Sequence, residues 1–117
     1  GAILNSPDNK KKMLIMKQPK GVVAAITPWN FPIAMVTRKA SAAIAAGCTV
    51  VLKPSELTPI SAIRLAEIAI KAGLPNGVFN IVTGNPKEIG KILSTHKFIK
   101  RIEEIISLLK NNLSIFI

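Results

Sequence analysis

Three short, continuously apolar runs alternate along this chain with longer segments in which apolar residues recur at helical spacing. The first run, Val22-Val23-Ala24-Ala25-Ile26-Thr27, opens after Gly21 and stops at Pro28. A run of that length with no polar alternation reads as a strand buried on both faces. From about Phe31 to Ala46 the residues are Ala-rich with helical spacing, and Gly47 stands where a helix C′ residue belongs. Cys48-Thr49-Val50-Val51-Leu52 repeats the strand pattern and ends at Lys53-Pro54. Thr58 is a candidate cap with Pro59 at the first helical position, and the predicted helix continues to Gly73. Leu74-Pro75-Asn76-Gly77 is turn chemistry. A third strand, Val78 to Val82, then leads through Thr83-Gly84-Asn85-Pro86 into a helix from about Lys87 to Ser94.

Strand and helix alternating three times predict an α/β fold, a Rossmann-like parallel sheet joined by right-handed crossovers with helices on its faces. Ligands of such sheets bind beyond the carboxyl ends of the strands. That rule brings Thr27-Pro28-Trp29-Asn30, Lys53-Pro54-Ser55-Glu56 and Thr83-Gly84-Asn85-Pro86 to one edge. Before this core, residues 1–20 form an N-terminal edge segment in which Met13 to Met16 suit an edge strand.

Composition narrows the picture. At 117 residues the chain holds one domain. With 49% hydrophobic residues, mean hydropathy +0.38 and no tyrosine, its core rests on Ile, Val, Leu and Ala. The apolar runs fall well short of the ~20 residues of a membrane span, and no signal peptide is recognisable. A single cysteine, Cys48, excludes an internal disulfide and suits the cytoplasm. No metal-ligand spacing is present. The net charge of +10 raises nucleic acid as a partner, yet five of the sixteen basic residues fall in the first twenty positions and no aromatic platform is interleaved with them. The charge reads as a solvated face, or as one half of a balance with acidic surface elsewhere, and no specific nucleic acid is expected.

The stretch GVVAAITPWNFPIAMVTRKASAAIAAG, followed by CTVVLKPSELTP and GLPNGVFNIVTG, resembles the aldehyde dehydrogenase superfamily, in particular its succinate-semialdehyde dehydrogenase branch, over about Gln18 to Arg101. PWNFP followed by AAGCTVVLKPSE is a specific signal. The resemblance implies an NAD(P)-dependent oxidation of an aldehyde to an acid, a homo-oligomeric full-length protein, and a small aldehyde substrate carrying a carboxylate tail. Residues 21–102 would then be part of the NAD(P)-binding domain, and 103–117 a divergent helical tail.

Site roles follow residue by residue from that resemblance. Asn30 matches an asparagine whose amide helps form the oxyanion hole, an arrangement in which one donor supplies ~3–4 kcal/mol; asparagine also makes a good helix N-cap. Ile26, Thr27, Pro28 and Trp29 match the segment beside the nicotinamide, although Trp29 suits a core equally well. Lys53 matches a lysine bonded to the adenosine ribose, with Ser55 in the same cofactor-binding segment. Glu56 matches the carboxylate that accepts from the ribose hydroxyls, which favours NAD over NADP; a glutamate near a helix N-terminus is the plainer alternative. Gly84 and Gly90 match small residues near the adenine. Arg38 matches the arginine that binds the substrate carboxylate in succinate-semialdehyde dehydrogenases. It follows Asn30 by eight residues, about 12 Å of helical rise, and guanidinium suits a carboxylate; a solvated or interface arginine is the alternative.

Cys48 lies in the AAGCT segment and does not match the family nucleophile, and the Glu-Leu-Gly-Gly segment carrying the water-activating glutamate is absent from these 117 residues. After Arg101, where relatives run into Phe-Thr-Gly-Ser, Glu103 to Lys110 has helical periodicity. His96 has no evident acid partner and reads as a helix-end residue. The expectation is a fragment, inactive alone and prone to self-association through exposed apolar surface and an open sheet edge. A decayed gene whose product stops early and a truncated chain would each account for it. The alternative is a non-catalytic module that binds nucleotide or a partner.

Overall fold

A computed structural model describes residues 1–8 and 10–104. Two sheets are present among them. Strands β1 (Ala2–Asn5) and β2 (Lys12–Ile15) form an antiparallel hairpin with Ala2 opposite Ile15. The turn between them is held at Asp8, whose carboxylate accepts from the Lys10 N–H at 3.0 Å and whose carbonyl accepts from the Lys11 N–H at 3.0 Å. The expected edge strand at Met13 to Met16 is β2, one residue earlier. Strand β1 pairs with β2 along all four of its residues, in addition to the one edge strand expected in this segment. Ile3 and Leu14 on this hairpin are exposed.

The main sheet contains β3 (Val22–Ile26), β4 (Thr49–Lys53), β5 (Phe79–Ile81) and β6 (Ile99–Glu104) in the order β5-β4-β3-β6, with all three pairings parallel. Helices α1 (Pro32–Ala45), α2 (Pro59–Lys71) and α3 (Pro86–Thr95) make the crossovers. From β3 to β5 the chain moves one way across the sheet, and the connection to β6 returns past β3. Right-handed crossovers therefore set α1 and α2 on one face and α3 on the other. Consistent with that division, one core cluster joins Ala25, Val50 and Leu52 of the sheet to Val36 and Ala40 of α1 and Ala62 of α2, while Leu93, buried on α3, lies outside it.

Helix ends follow their sequence signals unevenly. At the end of α1, Gly47 takes φ +80 and its N–H donates to the Ile44 carbonyl, while the Cys48 N–H reaches Ala43. Gly73 and Leu74 repeat this pair of bonds after α2, so both helices close with the glycine motif that satisfies their last carbonyls. Asn85 caps α3 by accepting from the Lys87 N–H at 3.0 Å. Thr58 occupies the N-cap of α2 as expected but makes no side-chain cap bond, and among the described residues its buried Oγ1 has no hydrogen-bond partner.

Strand β6 extends to Glu104, so the first two residues assigned to a helical tail are strand. Parallel pairing with β3, which sets Ala25 opposite Glu103 and Ile26 opposite Glu104, overrides the local helical spacing there. The rest of the expected tail, 105–117, lies outside the described residues. His96 is the C-cap of α3, and its Nδ1 accepts from the Phe98 N–H at 3.3 Å.

Candidate functional site

The register of the central strands builds the candidate site. Ile26 lies opposite Lys53, so β3 and β4 release their chains at one level of the sheet. The Thr27 N–H donates to the Lys53 carbonyl at 3.1 Å and extends the ladder one step beyond the strands. On the other side, the Val82 N–H donates to the Leu52 carbonyl at 2.8 Å. The three loops expected at the carboxyl edge are thus brought side by side.

Lys53 and Glu56 form an ion pair in which the lysine side chain is 5% exposed and the carboxylate 49% exposed. The lysine is the last residue of β4 and its stem is covered by the fold, while Glu56 stands in the loop before α2. The Lys53 ammonium hydrogen bond holds the Glu56 carboxyl below its ordinary range, the backbone N–H of Glu56 and the charge of Lys53 act in the same direction, and desolvation opposes them. Glu56 is therefore an ionised acceptor presented to solvent on a buried cationic support.

Next to this pair lies a cleft of about 380 Å³. Ser55, Glu56, Thr83 and Gly84 give it polar edges, and Pro59 and Ile63 of α2 give it an apolar wall. Gly84 has φ +140, and a Cβ there would come within 3.2 Å of the Ile89 side chain, so the loop after β5 needs glycine both for its backbone and for its approach to α3. An acceptor for hydroxyl groups beside an apolar wall suits a nucleoside. The contribution of Pro59 and Ile63 was not singled out from sequence, although their spacing of four on one helix face was the available signal.

Asn30 is exposed and lies outside α1, whose N-cap is Phe31 at φ 54, ψ 57 with no side-chain cap bond. The capping role for Asn30 is thereby removed, and among the described residues its amide has no hydrogen-bond partner. Trp29 is 52% exposed and is not a core residue of these described segments. Thr27 is buried at the strand exit, with Ile26 and Pro28 half-buried on either side of it.

Of the expected site residues, Ser55, Glu56 and Gly84 line this cleft, and Gly90 and Arg38 lie on helices apart from it. Gly90 is partly buried on α3, does not line the cleft, and faces open space where a Cβ would stand. Arg38 is exposed on α1 and lines a different cleft, shared with Lys20, Cys48 and Arg101. Cys48 itself is buried at the amino edge of β4, the opposite edge from Asn30. Among the described residues no group of His, Cys, Asp and Glu is placed to hold a metal ion, and no helix is long and apolar enough to cross a membrane.

A family model described as the aldehyde dehydrogenase family matches residues 1–105. The chain belongs to the aldehyde dehydrogenase family. The match takes in the hairpin and β6, beyond the stretch from Gln18 to Arg101 that carries the sequence resemblance. The chain is 56% identical over 92 residues to a succinate-semialdehyde dehydrogenase [NADP(+)] of Escherichia coli, covering 79% of this chain and 19% of that protein. It is 51% identical over 105 residues to the mitochondrial succinate-semialdehyde dehydrogenase of Homo sapiens, covering 87% of this chain and 20% of that one. The crystal structure of succinate-semialdehyde dehydrogenase from Burkholderia pseudomallei superposes with a TM-score of 0.86 at 46% identity, over 89% of this chain and 22% of that one. The chain thus spans about a fifth of the length of the curated relatives it matches.

Proposed function

We propose that this chain is the nucleotide-binding segment of an NAD(P)-dependent succinate-semialdehyde dehydrogenase and that, by itself, it does not oxidise aldehyde. What carries the reading is the union of about half-identical residues with succinate-semialdehyde dehydrogenases and a carboxyl-edge cleft built from Ser55, Glu56 and Gly84. The residues fit a dinucleotide. The ionised Glu56 accepts from ribose hydroxyls, Lys53 supports it from below and donates to the same sugar, and Gly84 keeps the loop after β5 free of a side chain. Bound cofactor supplies the hydride acceptor of the reaction. Ile26, Thr27, Pro28 and Trp29 run along the nicotinamide end, with Asn30 offering its unpaired amide N–H to the aldehyde oxygen. Arg38, on the helix that follows, takes the carboxylate tail of the substrate.

Glu56 sets the preference between cofactors. A carboxylate at the ribose repels a 2′-phosphate, so NAD is preferred here, although the matched relatives include both an NADP(+) enzyme and one described as NAD-dependent. Catalysis in the family manner needs a thiolate beside Asn30. Cys48, the single cysteine of the sequence, is buried at the far edge of the sheet, which supports the non-catalytic reading of these residues alone. The exposed apolar hairpin of β1 and β2 is the surface through which the chain self-associates.

Isothermal titration of monodisperse chain with NAD and with NADP tests the proposal. Saturable NAD binding that is lost in Lys53→Ala and Glu56→Ala, with NADP weaker than NAD, is the expected result. Folded chain that binds neither nucleotide, or binds both equally before and after Glu56→Gln, would overturn it.

A further inference from the structure

The turn between α2 and β5, Leu74-Pro75-Asn76-Gly77, takes no part in the site described above. It sets an asparagine directly before a glycine, the single occurrence of that pair in the sequence. Glycine has no Cβ to obstruct its own nitrogen, so the Gly77 nitrogen has a clear approach to the Asn76 side-chain carbonyl carbon. Attack there forms an N–Cγ bond and closes a succinimide ring. The Cγ–Nδ2 bond breaks, and the amide leaves as ammonia with the proton from Gly77. Water then opens the ring. Attack at the side-chain carbonyl gives aspartate, and attack at the main-chain carbonyl gives isoaspartate. Nothing is oxidised or reduced, and water is the only co-reactant.

The fold leaves this pair open to the reaction. Asn76 and Gly77 are both exposed. Among the described residues neither the Asn76 side-chain amide nor the Gly77 N–H has a hydrogen-bond partner, so nothing holds back the nucleophile or the leaving group. Gly77 takes φ +84, and nothing lies within 4 Å of where its Cβ would stand, which leaves room for the ring and for water. Other asparagines lack one of these conditions. Asn85 precedes Pro86, whose nitrogen carries no hydrogen, and its Oδ1 accepts from the Lys87 N–H at 3.0 Å. Asn80 lies within β5, where its Nδ2 donates to the Val50 and Gly77 carbonyls at 3.2 and 2.8 Å, and the branched Ile81 follows it. Asn30 is exposed but precedes Phe31.

The same turn is tied to the start of β5. The Val78 N–H donates to the Pro75 carbonyl at 3.3 Å, the Val50 N–H to the Val78 carbonyl at 2.8 Å, and Asn80 to the Gly77 carbonyl. Isoaspartate would insert a methylene into the main chain between Pro75 and Gly77, inside that set of bonds. Strand β5 is an edge strand paired with β4 alone, so no second ladder restrains it. We propose that Asn76 is a site of spontaneous deamidation and that its isoaspartyl form loosens the amino end of β5. The site is independent of the nucleotide reading, because the reaction needs only Asn76, Gly77 and water.

The test ages the full 117-residue chain at mildly acidic and mildly alkaline pH, then maps its peptides by mass. An isoaspartyl methyltransferase with S-adenosylmethionine labels the rearranged product. Conversion of amide to acid at Asn76 ahead of the other asparagines is expected, with the methyl label on the same peptide. It should be faster at alkaline pH, because the backbone nitrogen attacks once deprotonated. Gly77→Ala should slow it severalfold through the added Cβ. Asn76→Ser keeps a turn-forming residue with no amide to lose, and should abolish the label there. Hydrogen exchange at the Val78 and Asn80 amides should speed up in the aged chain and stay unchanged in fresh Asn76→Asp, which has the charge without the methylene. Asn76 intact in the folded chain while it converts in urea would show that the fold protects the turn, and would overturn the site. Conversion first at another asparagine would have the same consequence. Equal exchange in fresh Asn76→Asp and in the aged chain would overturn the role of isoaspartate and leave an effect of charge.

Discussion

The Lys53–Glu56 pair should respond very differently according to which partner is removed. Lys53 is 5% exposed and Glu56 49% exposed, and among the described residues Glu56 is the partner the lysine side chain has. Glu56→Ala leaves an ammonium in the fold without its carboxylate. Removing one partner of a fully buried pair costs ~3–5 kcal/mol. Here the carboxylate is half in water, so its attraction is already screened and solvent can partly replace it, and we expect about 1.5–3 kcal/mol. Lys53→Met keeps the unbranched length and removes the buried charge. It leaves Glu56 where water can solvate it, so its cost should stay within about 1 kcal/mol. Urea denaturation at pH 7 measures both, as midpoints compared at a common slope. A Lys53→Met variant as damaging as Glu56→Ala would refute the reasoning, because the buried charge would then be stabilising in its own right.

Three further outcomes follow from the same coordinates. Gly47→Ala should cost about 2 kcal/mol and Gly73→Ala about 1 kcal/mol in urea midpoints, since both demand a left-handed backbone, but a Cβ at position 47 also meets the Pro19 ring at 2.9 Å while position 73 is open; equal costs would remove the Pro19 contact from the explanation. Asn85→Ala should lose about 1 kcal/mol with its cap bond, whereas Thr58→Val should be neutral or stabilising, because Thr58 makes no cap bond and its hydroxyl is buried without a partner; a destabilised Thr58→Val measured by thermal unfolding would contradict this. Glu56 has its folded pKa lowered by Lys53, so its contribution is complete above the ordinary glutamate value of about 4.3 and is lost as pH falls through the lowered folded value. Urea midpoints between pH 3 and 6 should therefore decline less steeply in Glu56→Gln than in the unmodified chain, and identical slopes would count against the pair as the cause.

Local patterns in the sequence determined most of the elements. Apolar runs between Gly21 and Pro28 and between Gly47 and Pro54 are strands because uninterrupted β-branched and small residues suit burial on both faces. Gly47 and Gly73 end their helices because few other residues take a positive φ without strain. The PWNFP and KPSE segments placed Asn30, Lys53 and Glu56 at one sheet edge, since strand ends and loops alternate in a fixed order. Other features arose only when distant segments met. Strand β1 and the end of β6 exist through pairing with β2 and β3, and pairing overrode the helical spacing at Glu103 and Glu104. Phe31, rather than Asn30, turns the chain into α1, a choice between neighbours that propensity does not resolve. Whether Lys53 is buried, and whether Lys20, Arg38 and Arg101 surround one cleft, depends on what the crossovers stack above each strand end. Sequence spacing fixes which face of its own element a residue occupies. Burial, charge and pKa depend on atoms contributed by other elements, and only the tertiary structure brings those together.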